Sequence, residues 1–394
     1  EDRATMCHGL PHWAKAGGVA IISYDTLKAA ERWGEKCTAM LEALYETSDV
    51  VVLDEMHELK NSGTKKARAI DRFKTPVRVG LTGTPLANSP GELYNVAEIL
   101  EPGLLRLDAK EYKKTFTDPI MLSMHGDATE EERRKGKEQR AVLRQITSHL
   151  MLHKTWTTLE KSLPDKREFM IVYDYGDAER AAIAEKDENV SYLQKQTNVD
   201  TILRVTKAQI AIDLIRQFGE ESVLVFSEHP ATLKVIHDAH GDSRMIEGST
   251  KREDRADILD SFAAGDFQVL LLTYGTSAVG INCQAASRVL LLDPHENPTK
   301  EAQAVCRAWR MGQTKPVTAY RFAALDTVEM KIIRRGILKT NMTRTCIEGG
   351  SSVNQITHED VRSCGLTDSV KLLPLREAPD AALRAVEPYV KVKG

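Results

Sequence analysis

Val50-Val-Val-Leu-Asp-Glu-Met-His57 passes from four apolar residues directly into two acids and a histidine. Short apolar runs of this kind recur along the chain: Val19–Ile22, Val50–Leu53, Val77–Leu81, Val223–Phe226, Val269–Leu272 and Val289–Leu292. Their residues do not alternate in polarity, so we expect both faces of each strand to be buried. Strands of this type are typical of parallel sheets covered by helices, and the sequence therefore predicts an α/β fold.

The apolar runs fall into two groups of three, which indicates two sheets. Between the groups, Asp127–Arg144 carries charges of both signs and predicts a solvated helix with i,i+4 pairs. Phe169–Val172 predicts an extra strand, and after Ile333 the apolar pattern weakens. A chain of 394 residues is long enough for two domains with appendages.

The composition excludes several classes of protein. Lysine and arginine number 54 against 57 acidic residues, so contact with a nucleic acid must use local patches and backbone amides rather than bulk charge. The six cysteines form no C-x-x-C pair, which indicates a reducing compartment without a disulfide framework or a zinc ribbon. No apolar run reaches the ~18 residues that a membrane span needs.

Asp54 and Glu55 follow an apolar run at the edge where α/β sheets bind ligands. In that position an aspartate can hold Mg²⁺ through water, and a glutamate can polarise the water that attacks a nucleotide. A charged strand-to-helix turn without a ligand is the alternative. After the next run, Leu81-Thr-Gly-Thr-Pro85 predicts a tight loop that can approach a phosphate or transmit strain to a neighbouring lobe, or an ordinary turn.

Gln303, Arg307 and Arg310 are spaced i, i+4 and i+7, which predicts one shared helix face. Two adjacent guanidinium groups repel each other, so the pair suits a common anionic partner such as a γ-phosphate. A basic helix face in solvent is the alternative. We expect Gly312-Gln313 to end this helix directly after the arginines.

Three loops carry residues that can contact phosphate groups. Gly280 lies in a glycine-bearing loop whose N–H groups can cradle phosphate oxygens. Gly248 with Arg255, and Ser23 with Tyr24, follow other apolar segments and can grip a DNA phosphate. For each loop, turn chemistry or helix capping is the alternative reading.

Taken in order, these segments resemble the motifs of Swi/Snf-type ATPases of helicase superfamily two, from about Gly18 to Arg335. The matching segments are Ile21–Leu27, Val51–Asn61, Leu81–Asn88 with Glu92–Tyr94, Val223–Ser227, Gly248–Arg255, Gly280–Asn282 with Asp293 and Asn297-Pro298, and Gln303–Phe322. The finer resemblance is to the ATRX-like branch, close to recombination-type translocases, and rests on Gly312–Val317, Val328–Ile333 and Leu159–Pro164.

The resemblance implies two RecA-like lobes with parallel sheets, helical insertions and a C-terminal extension. The expected domains are a partial first lobe over 1–110, a helical linker over 111–205, a second lobe over 206–335 and a C-terminal brace over 336–394. ATP with Mg²⁺ would bind in the cleft between the lobes. The residues expected at the nucleotide are Asp54 (which would hold Mg²⁺ through water), Glu55, His57, Gly280, Gln303, Arg307 and Arg310, with Arg307 and Arg310 as arginine fingers.

The resemblance also implies a motor that moves along double-stranded DNA and acts on nucleosomes or other chromatin proteins in the nucleus, away from membranes. Lobe closure would be coupled to hydrolysis through Thr82, Gly83 and Thr84. The residues expected to contact DNA are Ser23, Tyr24, Lys60, Asn61, Gly248 and Arg255.

The sequence departs from the family pattern in one major respect, because no G-x-x-x-x-G-K-[ST] segment occurs in it. Since the chain opens with Glu1 rather than Met, we expect an incomplete first lobe, and without the loop lysine ATP affinity should collapse. A non-catalytic DNA- or chromatin-binding remnant is therefore the alternative function. Met56 stands where the family has a small residue and should be tolerated, while Thr276-Ser-Ala278 makes the loop before Gly280 bulkier.

Overall fold

The computed structural model describes residues 10, 12–30, 35–61, 63–83, 89–124, 128–152, 163–188, 190–277, 280–343 and 370–374. They divide into two units, one within residues 1–152 and the other within residues 153–341 together with the strand Val370–Pro374. In the described part of the chain, no helix combines the length and the apolar character needed to cross a membrane.

The first unit contains a parallel pair of strands, β1 (Val51–Leu53) and β2 (Arg78–Gly80), in which Val52 lies opposite Val79. Short 3₁₀ and π-helical turns cover Met56–Leu59 and Lys113–Thr117. Its helices are Tyr24–Ala30, Glu35–Thr47, Lys65–Asp71, Gly91–Leu100, Ala109–Tyr112, Asp118–Leu122 and Glu130–Leu150.

Only one face of the β1–β2 pair is buried, which corrects the expectation that both faces would be. Val51 and Leu53 point into a core formed with Leu41, Tyr45 and Leu59. On the other face, Val52 is 59% exposed and Val79 is 43% exposed, because the described helices of this unit pack against the opposite side.

The strand expected over Val19–Ile22 is also wrong. The chain forms no strand there within the described residues, and the side chains of Val19 and Ile21 are 88% and 85% exposed. An apolar run becomes a strand only where a neighbouring strand accepts its backbone hydrogen bonds, and the first described pairing in this unit begins at Val51.

The charged stretch forms the predicted helix, which covers Glu130–Leu150. Thr129 caps its first turn by accepting a hydrogen bond from the Glu132 amide, and Arg134 pairs with Glu138 at 2.9 Å. The helix is not solvated all round, because Leu143 is fully buried against the helix Asp118–Leu122. Asp127 lies outside the described residues.

The second unit is built on a seven-stranded sheet with the order β5-β6-β4-β7-β8-β3-β9. All described pairings are parallel except β3 with β9, which is antiparallel. The strands are β3 (Lys166–Tyr173), β4 (Val223–Ser227), β5 (Ser243–Ile246), β6 (Val269–Thr273), β7 (Arg288–Leu291), β8 (Val317–Ala324) and β9 (Val370–Pro374). The helices are Asp177–Lys186, Tyr192–Ile202, Arg204–Gln217, Pro230–Ala239, Arg252–Ala264, Tyr274–Ser277, Pro298–Ala308 and Val328–Thr343.

In this unit the expectation of strands buried on both faces is confirmed. Along β4, Val223 and Val225 join the core on one side of the sheet, while Leu224 and Phe226 join the core on the other side. The α/β fold class is therefore confirmed. The extra strand expected at Phe169–Val172 is the middle of β3, so part of the stretch expected to be a linker belongs to this sheet. The strands β5, β8 and β9 were not predicted.

Gly80 and Met56 are packed so closely that one constrains the other. Met56 is buried behind β1, and a Cβ atom on Gly80 would lie 2.2 Å from its Sδ atom. The bulky residue that replaces the family's small one is therefore accommodated by a glycine on the neighbouring strand.

We expect Gly80→Ala to lower the free energy of unfolding of the first unit by about 1–3 kcal/mol, because the added methyl group overlaps the Met56 thioether. In a Met56→Ala background the same change should cost much less, since the overlap is gone. Urea unfolding of the four variants measures this coupling. An equal cost of Gly80→Ala in both backgrounds would contradict the proposed contact.

Candidate functional site

The acidic motif and the Thr82 loop emerge side by side at the carboxyl edge of the first sheet. The strand pairing continues past the last residues of β1 and β2: the Leu81 amide donates to the Leu53 carbonyl at 2.8 Å, and the Met56 amide donates to the Leu81 carbonyl at 2.9 Å. Asp54 and Glu55 therefore stand beside Thr82, with both carboxylates exposed.

Glu55 has a backbone conformation that most residues avoid. Its φ of 47° and ψ of 46° lie in the left-handed region, and its amide donates to Oδ1 of Asp54 at 3.0 Å. A side chain held in this region at the end of a strand costs conformational energy and is typical of functional turns. The turn directs the two successive carboxylates before the chain enters the 3₁₀ turn at Met56.

His57 connects the acidic motif to the Thr82 loop. Its Nδ1 atom lies 3.1 Å from Oγ1 of Thr82 and 3.2 Å from Oε2 of Glu55. Of the residues expected to couple hydrolysis to closure, Thr82 is thus joined to Glu55 through one imidazole. Gly83 follows with open space around its Cα, and Thr84 lies outside the described residues.

Tyr24 supports the acidic motif from the preceding helix. Its hydroxyl donates to the Asp54 carbonyl at 2.7 Å. Burial and then the carboxylates of Asp54, Glu58 and Glu55 raise the pKa of Tyr24, so the donor keeps its proton. Ser23, expected with Tyr24 to contact DNA, accepts the Thr26 amide at 3.1 Å and so caps this helix.

Lys60 and Asn61 extend the acidic motif toward the helix Gly91–Leu100. The Lys60 ammonium lies 2.9 Å from Oε1 of Glu92, and the Lys60 carbonyl accepts the Asn95 side-chain amide at 2.6 Å. Asn61 is exposed, and its carbonyl accepts the Thr64 amide. Lys60 therefore joins the segment after β1 to the helix Gly91–Leu100, which follows β2 in the chain.

The arginine helix, which carries one of the two expected arginines, covers Pro298–Ala308. It begins at Asn297, whose side chain accepts the Thr299 amide at 3.1 Å, and proline occupies its first position. Gln303 and Arg307 lie on this helix, both partly buried. Arg310 does not, because the helix ends at Ala308 and Trp309 already leaves helical geometry. The expectation of one helix face shared by all three side chains is therefore wrong.

Gln313 fixes the turn that carries Arg310 and was not predicted as a site residue. Its side-chain nitrogen lies 2.9, 2.8 and 3.2 Å from the carbonyl oxygens of Gln284, Ala286 and Ala308. Its side-chain oxygen accepts the backbone amides of Thr314 and Lys315, both at 2.9 Å. Because this buried amide binds carbonyls of the Gln284–Ala286 loop and of the helix end at Ala308, it sets the path of the turn that carries Arg310.

Gly312 allows this arrangement through both its conformation and its size. Its φ of 98° is a value that residues with a Cβ atom rarely adopt, and an added Cβ would lie 2.8 Å from Nε2 of Gln284. The backbone of the arginine helix is tied to the same place, because the Cys283 amide donates to the Arg307 carbonyl at 3.0 Å. The loop after Gly280 and the arginine helix thus share hydrogen bonds.

Two of the expected phosphate loops are exposed, and one of them is shaped by an arginine. Gly280 is exposed with open space around its Cα. The Arg255 guanidinium donates to the carbonyls of Thr250, Glu247 and Gly248 at 2.8, 3.1 and 3.0 Å. Arg255 therefore builds the Gly248 loop from within.

The residues present fit Mg²⁺ better than they fit a whole nucleotide. The exposed Asp54 carboxylate at the end of a parallel strand is a hard oxygen donor of the kind that takes Mg²⁺ through water. Arginine side chains suit the γ-phosphate. A glycine-lysine loop for the remaining phosphates does not occur in the sequence.

Comparison with known families gives two matches. Residues 6–221 match the SNF2-related domain, and residues 206–312 match the helicase conserved C-terminal domain. The two matches overlap at residues 206–221, which include most of the helix Arg204–Gln217 and end just before β4.

Individual relatives are more distant. The DNA repair and recombination protein RAD54 of Saccharomyces cerevisiae is 26% identical over 420 residues, which cover 90% of this chain and 46% of that protein. Protein CHROMATIN REMODELING 20 of Arabidopsis thaliana is 24% identical, over 89% of this chain and 32% of that protein. The chain spans about half the length of the RAD54-type relatives that it matches.

A solved structure, the Sulfolobus solfataricus SWI2/SNF2 ATPase core in complex with dsDNA, is 22% identical and covers 82% of this chain and 76% of that one. Its TM-score is 0.37.

We expect Gln313→Ala to lower the free energy of unfolding of the second unit by about 2–4 kcal/mol, because buried carbonyls lose their donor. Gln313→Glu should cost more at neutral pH, since a carboxylate cannot donate to them. In acid the difference in unfolding free energy between the two variants should become smaller, because the carboxyl group of the glutamate gains a proton that it can donate. Urea unfolding at both pH values measures this, and equal costs for the two variants throughout would contradict the donor role.

Proposed function

The chain belongs to the SNF2-related family, and from that premise we propose that its function is ATP hydrolysis in response to double-stranded DNA. A non-catalytic DNA- or chromatin-binding role is the second candidate, because the sequence holds no glycine-lysine loop for the phosphates. The finer activity that we propose is translocation along the duplex, with nucleosomes or other chromatin proteins as further partners in the nucleus. The relatives named for DNA repair, recombination and chromatin remodelling support this direction.

One observation carries the proposal. The Asp54–Glu55 pair leaves β1 through a left-handed turn, and His57 links it to Thr82 at the end of the neighbouring parallel strand. A bland charged turn has no need of a strained glutamate bonded through an imidazole to the next loop. The arrangement suits a carboxylate that must respond to events in that loop.

Each of the proposed residues has its own part in the chemistry. Asp54 would hold Mg²⁺ through water, and the metal would neutralise charge on the phosphate oxygens. Glu55 would orient the attacking water, with His57 bonded to its carboxylate. Arg307 and Arg310 would stabilise charge that develops on the phosphate during transfer, Arg307 from the helix and Arg310 from the turn that Gln313 fixes.

DNA contact is proposed at exposed loops rather than at a basic face. Arg255 holds the Gly248 loop through hydrogen bonds to its carbonyls, and the Glu247 and Thr250 amides donate within the loop. The exposed backbone at Gly248 and Ser249 is therefore the part of the loop that would meet phosphate oxygens. Lys60 and Asn61, Ser23 and Tyr24 complete the proposed contact set. Of these, Tyr24 would act mainly through Asp54, to whose carbonyl it is bonded.

The deciding experiment measures ATP hydrolysis by this chain with and without double-stranded DNA. Glu55→Gln should lower stimulated turnover by about 100-fold or more, because an amide cannot polarise the water. Glu58→Gln makes the same chemical change three residues later, where the carboxylate pairs with Lys66, and should alter turnover by no more than about twofold. Absence of turnover with DNA binding retained would overturn the ATPase proposal and favour a DNA-binding role.

The arginine assignment has its own test. Arg307→Lys should lower turnover by about 100-fold or more, because an ammonium lacks the planar fork that spreads over phosphate oxygens. Arg216→Lys, at an exposed residue paired with Asp213, is the matched control. If Arg307 and Glu55 act as one unit in turnover, the double variant Glu55→Gln/Arg307→Lys should be about as slow as the slower single variant. Fully multiplicative losses would show that the two side chains contribute to turnover independently.

A further inference from the structure

A fully buried lysine lies among three carboxylates at the carboxyl edge of the second sheet. The Lys207 ammonium is 2.7 Å from Oδ1 of Asp200, 2.8 Å from Oδ1 of Asp293 and 2.5 Å from Oε1 of Glu329. All four side chains are at most 2% exposed. The carboxylates could converge on a metal cation, but the ammonium already occupies the position among them.

The buried charges balance only if the cluster retains protons. One ammonium faces three carboxylates, and His229, which lies 2.8 Å from Oδ2 of Asp200, is the remaining partner that can carry positive charge. Burial raises the pKa of Glu329 to about 7 although Lys207 opposes it. The hydrogen bond to Asp200 raises the pKa of His229. With both protons bound the cluster is neutral, and without them it holds uncompensated negative charge in the interior.

Asp293 connects the buried cluster to the ends of two neighbouring strands. Its Oδ2 atom accepts the Ser227 hydroxyl and, at 3.0 Å, the Glu228 amide, so the end of β4 is tied to the end of β7. The Tyr274 hydroxyl donates to the Asp293 carbonyl at 3.1 Å. Lys207, the end of β4 and Tyr274 thus hold Asp293 in place at the point where the chain leaves β7.

The next link runs from that segment to the arginine helix. Nε2 of His295 lies 2.9 Å from Glu228, and Nδ1 accepts the Asn297 amide at 2.7 Å, so the proton resides on Nε2. The His295 amide donates to Oε1 of Glu301 at 2.8 Å. Glu301 lies in the first turn of the helix Pro298–Ala308, two residues before Gln303.

Glu301 is itself held by a second buried ion pair. Its Oε2 atom accepts Nε of Arg321 at 2.8 Å, and the same guanidinium pairs with Glu168 on β3. Burial opposes the charge on Glu168, but Arg321 and then Lys166 outweigh it and lower the pKa of this carboxyl. Polar contacts, together with the backbone from Asp293 to His295, therefore join Lys207 to the first turn of the arginine helix.

We propose that Lys207, Asp293 and Glu329 are positioning residues for the helix that carries Gln303 and Arg307. Lys207 and Glu329 act through Asp293, and Asp293 acts through His295 and Glu301. The placement of the helix is argued from the contacts alone, whereas its consequence for turnover rests on the proposed function. None of the three residues needs to touch a ligand to have this effect, because they set where the helix begins.

The network should loosen as pH rises. The pKa of Glu329 is about 7 in the folded chain against an ordinary value of 4.5, so its stabilising contribution is complete below about pH 4.5 and is lost as pH rises through about 7. The raised pKa of His229 acts in the same direction. Asp200, whose pKa Lys207 and His229 lower to about 2 against burial, loses its contribution only in strong acid. The charged and titratable groups that act on Glu329 are Lys207, Asp200, Tyr173 and Tyr175. Asp293 pairs with Lys207, and His229 pairs with Asp200.

Hydrogen exchange of the full chain tests the placement. After correction for intrinsic rates, protection of the helix Pro298–Ala308 should fall by about tenfold from about pH 5.5 to about pH 8, while the helix Arg252–Ala264 changes little. Glu329→Gln should remove most of that pH dependence. Asp293→Asn should lower the protection of Pro298–Ala308 at both pH values. Glu221→Gln, at a carboxylate paired with Arg288 on the first residue of β7, is the matched control and should keep the wild-type profile.

Two results would overturn the proposal. One is a helix Pro298–Ala308 whose protection shows the wild-type pH profile in both Glu329→Gln and Asp293→Asn. The other is an effect of Glu329→Gln confined to its own helix, Val328–Thr343, which would make the cluster a local support. If a variant fails to fold, the wild-type chain alone is measured across this pH range. The absence of a selective loss of exchange protection in Pro298–Ala308 would then also contradict the network.

Turnover supplies a readout that a purely structural role would not move. With DNA-stimulated hydrolysis in hand, Glu329→Gln should flatten the pH profile of kcat and leave KM for ATP within about twofold. If the wild-type chain does not turn over, the proposed function fails, but the exchange experiment still decides whether the network positions the helix.

Discussion

A lysine ammonium among buried carboxylates holds together the carboxyl edge of the second sheet. The two faces of the central strands hold few polar groups, because β4 and its neighbours β6 and β7 bury apolar side chains on both sides of the sheet. Charged residues are therefore concentrated where the strands end. Three buried carboxylates from separate elements would repel one another without the Lys207 ammonium. With it, the cluster joins three helices and the end of β7.

The first unit meets the same constraint with different chemistry. Its acidic pair is exposed and needs no buried counter-charge, so orientation comes from the backbone. Glu55 is held in the left-handed region, Tyr24 fixes the Asp54 carbonyl, and His57 joins Glu55 to Thr82. The carboxylates proposed to meet water and metal are thus near solvent, while those proposed to position a helix are buried.

The sequence predicts those features that one segment determines alone. Val223–Phe226 is apolar throughout and forms a strand as expected. The strand β8 was missed because Arg321 interrupts its apolar pattern, and the carboxylates that neutralise this charge come from Glu168 and Glu301, far away in sequence. Arg310 was placed on the helix by its spacing, but carbonyls near residue 285 bind Gln313 and set the turn. Contacts between distant segments thus decide what local pattern cannot.

The arginine helix is fixed at both ends, and the two ends respond differently to conditions. At its start, Glu301 and His295 connect it to a cluster whose charge depends on protons. At its end, Gln313 and the Cys283 amide hold it through neutral groups that do not titrate near neutrality. A rise in pH should therefore release the first turn before the last. Arg307 lies in the last turn and Gln303 nearer the first, so the glutamine should lose its placement earlier than the arginine. The side chain proposed to stabilise charge during the reaction is then held in place by the end of the helix that does not titrate.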